Sequence, residues 1–117
     1  MLKRVVFLDR DGVINRDSFD YIKSVREFEF IPGSLQAIKR LTAQGINVIL
    51  ITNQSAVNRG IITLETLKKI HGFLCAQVLS QGGKLKDILI ITDFGEGYDN
   101  HPKKPRLKGY VTNYHDI

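Results

Sequence analysis

Two carboxylates one residue apart, Asp9 and Asp11, sit in the string Phe7-Leu8-Asp9-Arg10-Asp11-Gly12, directly after a short run of β-branched and aromatic residues. A carboxylate held rigidly at the end of a strand suits a nucleophile that must attack phosphorus in line with a leaving oxygen. Asp11 then stands where a proton is needed, first for the leaving group and later from the water that hydrolyses an aspartyl phosphate. Gly12 permits the tight turn. Carboxylates this close repel each other unless a cation lies nearby, which implies Mg2+.

Phosphoryl transfer is accelerated chiefly by positioning and by neutralising charge on the equatorial oxygens. Thr52 offers a hydroxyl and Asn53 an amide after a second apolar run, and Lys104 brings a positive charge from a later loop. Together they make a phosphate cradle. Taken singly, each has a blander reading: a solvated turn at Asp9 and Asp11, a cap or turn at Thr52 and Asn53, a solvated loop charge at Lys103 and Lys104.

These groups meet only if the strands that carry them end together. Residues 3–8 read as a buried strand, residues 46–51 as a second that stops at Thr52-Asn53-Gln54, and residues 88–91 as a third that stops at Thr92-Asp93. Between the first two, Pro32-Gly33-Ser34 leads into Leu35, Ile38 and Leu41 at helical spacing, and Gly45 supplies the stop. Thr63 predicts the N-cap of a second helix with Leu64, Leu67, Ile70, Leu74 and Val78 on one face, closed by Gly82-Gly83. His71 in that helix reads as a helix-surface or satisfied boundary histidine, and Phe28 and Phe30 as core.

Strands alternating with helices imply an α/β fold, a mostly parallel Rossmann-like sheet with crossover helices on both faces. Ligands of such sheets sit beyond the carboxyl ends of the strands, so Asp9, Thr52 and Asp93 gather along one edge. Residues 13–31, with Asn15, Asp17, Asp20 and Tyr21 and no clear periodicity, read as a flap-like insertion over that edge.

The 117 residues predict a single domain, and 43% hydrophobic with 25% charged content is ordinary for a folded soluble protein. Cys75 is the only cysteine, so no intramolecular disulfide can form, and a buried, inert thiol is expected. No apolar run approaches the length of a membrane span, and the first residues lack a signal-peptide pattern, so a cytoplasmic location is expected. The net charge of +5 raises the question of nucleic acid, but the basic residues are scattered and form no extended stripe. The exception is Lys103-Lys104-Pro105-Arg106-Leu107-Lys108, a local run that suits an anionic substrate of any size.

The ordered pieces Phe7-Leu8-Asp9-Arg10-Asp11-Gly12-Val13-Ile14-Asn15, Phe28-Glu29-Phe30-Ile31-Pro32-Gly33, Thr52-Asn53-Gln54-Ser55, Arg59-Gly60 and Lys103-Lys104-Pro105 resemble the haloacid dehalogenase superfamily, and within it the heptose bisphosphate and histidinol phosphate phosphatases. The resemblance implies that Asp9 is the nucleophile and Asp11 the proton donor, with Asp9 and the Asp11 main-chain carbonyl binding magnesium. It further implies that Thr52 and Lys104 hold the phosphoryl group. Asp17, Ser18, Phe19, Asp20, Tyr21, Asn53, Gln54, Ser55 and Lys103 would touch the rest of the substrate, with Arg59 near the same mouth.

The chain departs from the family pattern twice. Four zinc-ligand positions before the family's lysine fall on Thr92, Phe94, Asn100 and Pro102, and with His101 as a lone imidazole a structural zinc is not expected. The family also carries a further strand ending in a Gly-Asp signature that completes the magnesium site. The last ten residues, 108–117, show no such strand and turn, so the chain reads as a single partial domain, 1–117, lacking the C-terminal strands. Asp93 is a possible substitute ligand, and the exposed sheet edge is expected to favour a protein partner or a dimer. The leading expectation is Mg2+-dependent hydrolysis of a small sugar phosphate, such as a heptose bisphosphate. The alternative is an inactive or split remnant acting as a phosphate-binding or interaction module. A nucleic-acid end phosphatase is the third reading, disfavoured by the scattered charge.

Overall fold

The structure, a computed structural model, describes residues 4–93 and 110–113. A strand over Val5–Asp9 (β1) is followed by the insertion, then a helix over Ser34–Ala43 (α1), a strand over Asn47–Asn53 (β2) and one helical turn at Ser55–Asn58 (α2). A long helix, Leu64–Ser80 (α3), leads to strands Asp87–Asp93 (β3) and Tyr110–Asn113 (β4).

The sheet order is β1-β2-β3-β4. The first three strands are parallel, with Asp9 level with Ile51 and Asn53 level with Ile91. This register brings the ends of β1 and β2 to one edge of the sheet. β4 pairs antiparallel with β3, its register shifted between Ile91 and Asp93. A strand at Tyr110–Asn113 was not foreseen in the sequence. It extends the β3 side and leaves β1 as the opposite edge.

The helices begin and end where local chemistry dictates. The Thr63 hydroxyl accepts from the Thr66 amide at 3.0 Å, which caps α3, and Gly45 takes φ 75° just beyond α1. Ile38 of α1 and Leu67, Ile70, Leu74 and Val78 of α3 form one core with Val48, Leu50, Ile88 and Ile90 of the sheet. Leu64, read with that stripe, is exposed instead, because it lies in the first turn beyond the sheet-facing row.

The core lies on one face of the sheet. Both faces were expected to carry helices, yet α1 and α3 cover the same one among the described residues. Two crossovers of the same hand that step the same way across a sheet lay their helices on the same side. The outer face therefore leaves Phe7 59% and Val5 44% exposed, and β1 is not the buried strand its composition predicted.

The insertion is pinned at its base. Arg16 donates its amide to the Glu29 carbonyl at 2.8 Å, and Ile31 to the Ile14 carbonyl at 2.9 Å. Ile14, Ile22 and Phe28 are buried in the main core, and Phe28 meets Phe30 edge to face with ring centroids 5.0 Å apart. Both rings also lie 6.1 Å from Phe73 of α3. Among the described residues no helix is long and apolar enough to cross a membrane.

Candidate functional site

At the carboxyl ends of β1 and β2 a cleft of about 290 Å3 is lined by Asp9, Arg10, Asp11, Asp17, Ser18, Tyr21, Ile22, Asn53 and Gln54. Strand ends supply its floor and the insertion supplies its wall. Asp9 is exposed there, and one of its carboxylate oxygens accepts the Arg10 amide at 3.2 Å. Tyr21 holds φ 65°, the one described non-glycine residue in the left-handed region, so the wall keeps a conformation that L-residues seldom adopt.

Asp11 is built differently. Its Oδ1 accepts from Arg10 Nη2 at 2.7 Å, Arg10 Nε at 3.3 Å and Asn15 Nδ2 at 3.0 Å, while Oδ2 accepts from Gln54 Nε2 at 2.9 Å. The same Gln54 nitrogen donates to the Thr52 hydroxyl at 2.8 Å. One turn of the insertion and the end of β2 thus hold a single carboxylate from opposite sides.

Arg10 is only 1% exposed. A buried guanidinium needs its charge and its N–H groups answered. Asp11 answers the charge, Phe28 lies 5.5 Å below the guanidinium carbon, and Nη1 lies 3.0 Å from His71 Nε2 on α3. Burial pushes the His71 imidazole down to about 3, and the neighbouring guanidinium pushes the same way. His71 is thus neutral and its Nε2 accepts; it is satisfied, as one of the expected readings had it, but fully buried and not at the helix surface or boundary.

The structure gathers Asp9, Asp11, Asp17, Ser18, Tyr21, Asn53 and Gln54 around the cleft. Thr52 lies buried beneath it with its hydroxyl engaged by Gln54. Phe19 is fully exposed, Asp20 pairs with Lys23 at 3.7 Å, and Ser55 begins α2; none of these lines the cleft. Arg59, at the end of α2, is exposed and does not line it either. Lys103, Lys104, Phe94, Asn100 and Pro102 lie outside the described residues, and of Thr92 and Asp93 only the strand backbone is described. Sequence reasoning gave Arg10, Asn15 and His71 no part in holding the Asp11 carboxylate. The available signal was an arginine between two carboxylates, which a solvated turn does not require.

A hard divalent cation takes oxygen ligands. Asp9 offers its carboxylate to the cleft, whereas that of Asp11 is committed to nitrogen donors. The donors are right in kind for magnesium, though no group of three His, Cys, Asp or Glu side chains converges among the described residues.

A model of the haloacid dehalogenase-like hydrolases matches residues 6–88. The chain is 40% identical over 115 residues to a D-glycero-beta-D-manno-heptose-1,7-bisphosphate 7-phosphatase of Pseudomonas putida, a match covering 97% of this chain and 66% of that protein. It is 41% identical over 78 residues to a D-glycero-alpha-D-manno-heptose-1,7-bisphosphate 7-phosphatase of Mycobacterium tuberculosis, covering 66% of this chain and 41% of the relative. The D,D-heptose 1,7-bisphosphate phosphatase of Bordetella bronchiseptica, solved with magnesium and phosphate, superposes with a TM-score of 0.78 at 39% identity, over 81% of this chain and 53% of that one. The chain thus spans at most about two thirds of the relatives it matches.

Proposed function

The chain belongs to the haloacid dehalogenase-like hydrolases, and on that premise we propose that it hydrolyses a phosphomonoester of a small sugar, a heptose bisphosphate by the names its relatives carry. The observation that carries this reading is the pair of unlike carboxylates at one cleft: Asp9 exposed to it, Asp11 held by four hydrogen bonds. Unlike environments divide two carboxylates between a nucleophile and an acid or base.

In this mechanism an Asp9 oxygen attacks phosphorus and the bond to the leaving oxygen breaks, while Asp11 gives that oxygen its proton. Asp11 then takes a proton from water as the water oxygen attacks the aspartyl phosphate, the Asp9–phosphorus bond breaks, and phosphate leaves. Asp9 and the main-chain carbonyl of Asp11 would hold magnesium, which when bound neutralises charge on the phosphoryl oxygens. Lys104 would supply a further positive charge. Ser18, Tyr21, Asn53 and Gln54 offer hydroxyl and amide groups to the sugar, and Asp17 accepts from its hydroxyls.

Phosphate release from a panel of sugar phosphates with Mg2+ tests the reading. Asp9→Asn is expected to lower turnover by at least about 10^3-fold, as removal of a nucleophile does. Equal release by Asp9→Asn and the unaltered chain sinks it. A second reading is favoured by the β1 edge, open among the described residues: a phosphate-binding or interaction module that holds phosphorylated ligands without turning them over. In that case turnover appears only when the chain is extended with the C-terminal third of a relative.

A further inference from the structure

We propose that Arg10, clamped from behind by His71 of α3 and Phe28 of the insertion, is a positioning residue that fixes the Asp11 carboxylate and selects its Oδ2 as the oxygen that carries the catalytic proton. The inference rests on the phosphatase reading and adds to it a buried relay from α3 to the acid.

The two oxygens of Asp11 are not equivalent. Oδ1 accepts three N–H groups, two of them from a guanidinium. An oxygen so occupied has no lone pair to offer a proton, and protonating it would set an O–H against a fixed cation. Oδ2 accepts one amide N–H, from Gln54, and keeps a lone pair. Protonation at Oδ2 leaves every other hydrogen bond in place. The proton passes from Oδ2 to the leaving oxygen as its bond to phosphorus breaks, and returns to Oδ2 from the attacking water.

The guanidinium can impose this only if it cannot turn. A planar fork gripped on one side by a carboxylate still pivots about that contact. Nη1 is stopped at the other end by His71 Nε2 at 3.0 Å, and the Phe28 ring, 5.5 Å from Cζ, closes one face. His71 is 61 residues from Arg10 in the chain and does not line the cleft, so it acts through Arg10 and never on substrate.

The test uses the full chain with His71→Leu, His71→Gln and Arg10→Lys. His71→Leu fills the space without an acceptor, His71→Gln restores an acceptor near Nε2, and Arg10→Lys keeps the charge and loses the fork. Two substrates separate the acid from the rest: an alkyl phosphate, whose leaving group needs a proton, and p-nitrophenyl phosphate, whose leaving group does not. His71→Leu and Arg10→Lys are expected to lower kcat/KM on the alkyl ester, which reports the steps up to departure of the leaving group, by about 10–100-fold, part of what a positioned acid supplies. By the same measure the aryl ester loses far less, since the activation of water by Asp11, common to both esters, comes after that step. His71→Gln recovers most of the alkyl activity. Equal losses on both esters, or no rescue by glutamine, overturn the proposal.

A second readout needs no activity. In 15N spectra the Arg10 guanidinium is expected to give slowly exchanging, separately resolved Nη signals that His71→Gln retains and His71→Leu averages. Resolved signals in His71→Leu refute the clamp. Failure of the unaltered chain to turn over either ester sinks the phosphatase reading alone, and the clamp then stands or falls on the arginine signals.

Discussion

His71 shows how much one side chain's surroundings matter. Burial, then the Arg10 guanidinium, lowers its imidazole to about 3 in the folded protein, against an ordinary value of 6.5. The unfolded chain therefore binds a proton on His71 that the folded chain refuses. Above pH 6.5 both states are neutral and the full stability is present; as the pH falls from 6.5 toward 3 the unfolded state gains protons and stability is lost, by up to about 1.4 kcal/mol per pH unit. Urea midpoints between pH 7 and 4 are expected to fall more steeply for the unaltered chain than for His71→Gln, and parallel slopes would refute a buried neutral histidine. Cys75 is simpler. It is half-buried, where a fully buried thiol was expected, and that burial pushes the thiol up.

At the scale of elements, α3 links the hydrophobic core to the site. Its stripe of Leu67, Ile70, Leu74 and Val78 packs on the sheet, and the same helix presents His71 to Arg10 and Phe73 to the aromatic pair of the insertion. Its start depends on the Thr63 hydroxyl, which occupies the Thr66 amide. Thr63→Ala is expected to cost about 1 kcal/mol, read as a lower urea midpoint with an unchanged slope. An altered slope would mean that the cap governs more than the first turn. The insertion depends on α3 in turn, since Phe28 serves both the core and the face of the Arg10 guanidinium.

At the scale of the molecule, the described helices lie on a single face of the sheet, β1 is an edge among the described strands, and Val5 and Phe7 are exposed on the other face beside Ile51. An open strand edge beside exposed apolar side chains is a template for pairing with another chain. The isolated 117-residue chain is expected to self-associate as its concentration rises in sedimentation equilibrium, and Phe7→Thr to shift it toward monomer. A monomer at every concentration, with or without the substitution, would remove the open face as an interaction surface.

Local signals carried much of this in the sequence alone. Asp-Arg-Asp-Gly after an apolar run, Thr-Asn-Gln after another, and a threonine-capped stripe in α3 depend on near neighbours and on periodicity, so α/β alternation and the strand-end location of Asp9 were legible without coordinates. The tertiary structure alone decided which partners meet across the chain. Arg10 and His71 are 61 residues apart and no local pattern links them; only the packing of α3 against the sheet and insertion makes one a buried cation and the other its neutral acceptor. The same holds for β1: its composition suits burial, yet an edge place and an uncovered face expose Val5 and Phe7. Near Asp9 and Asp11, sequence identified the carboxylates, and folding made them unlike by leaving one open to the cleft and closing nitrogen donors around the other.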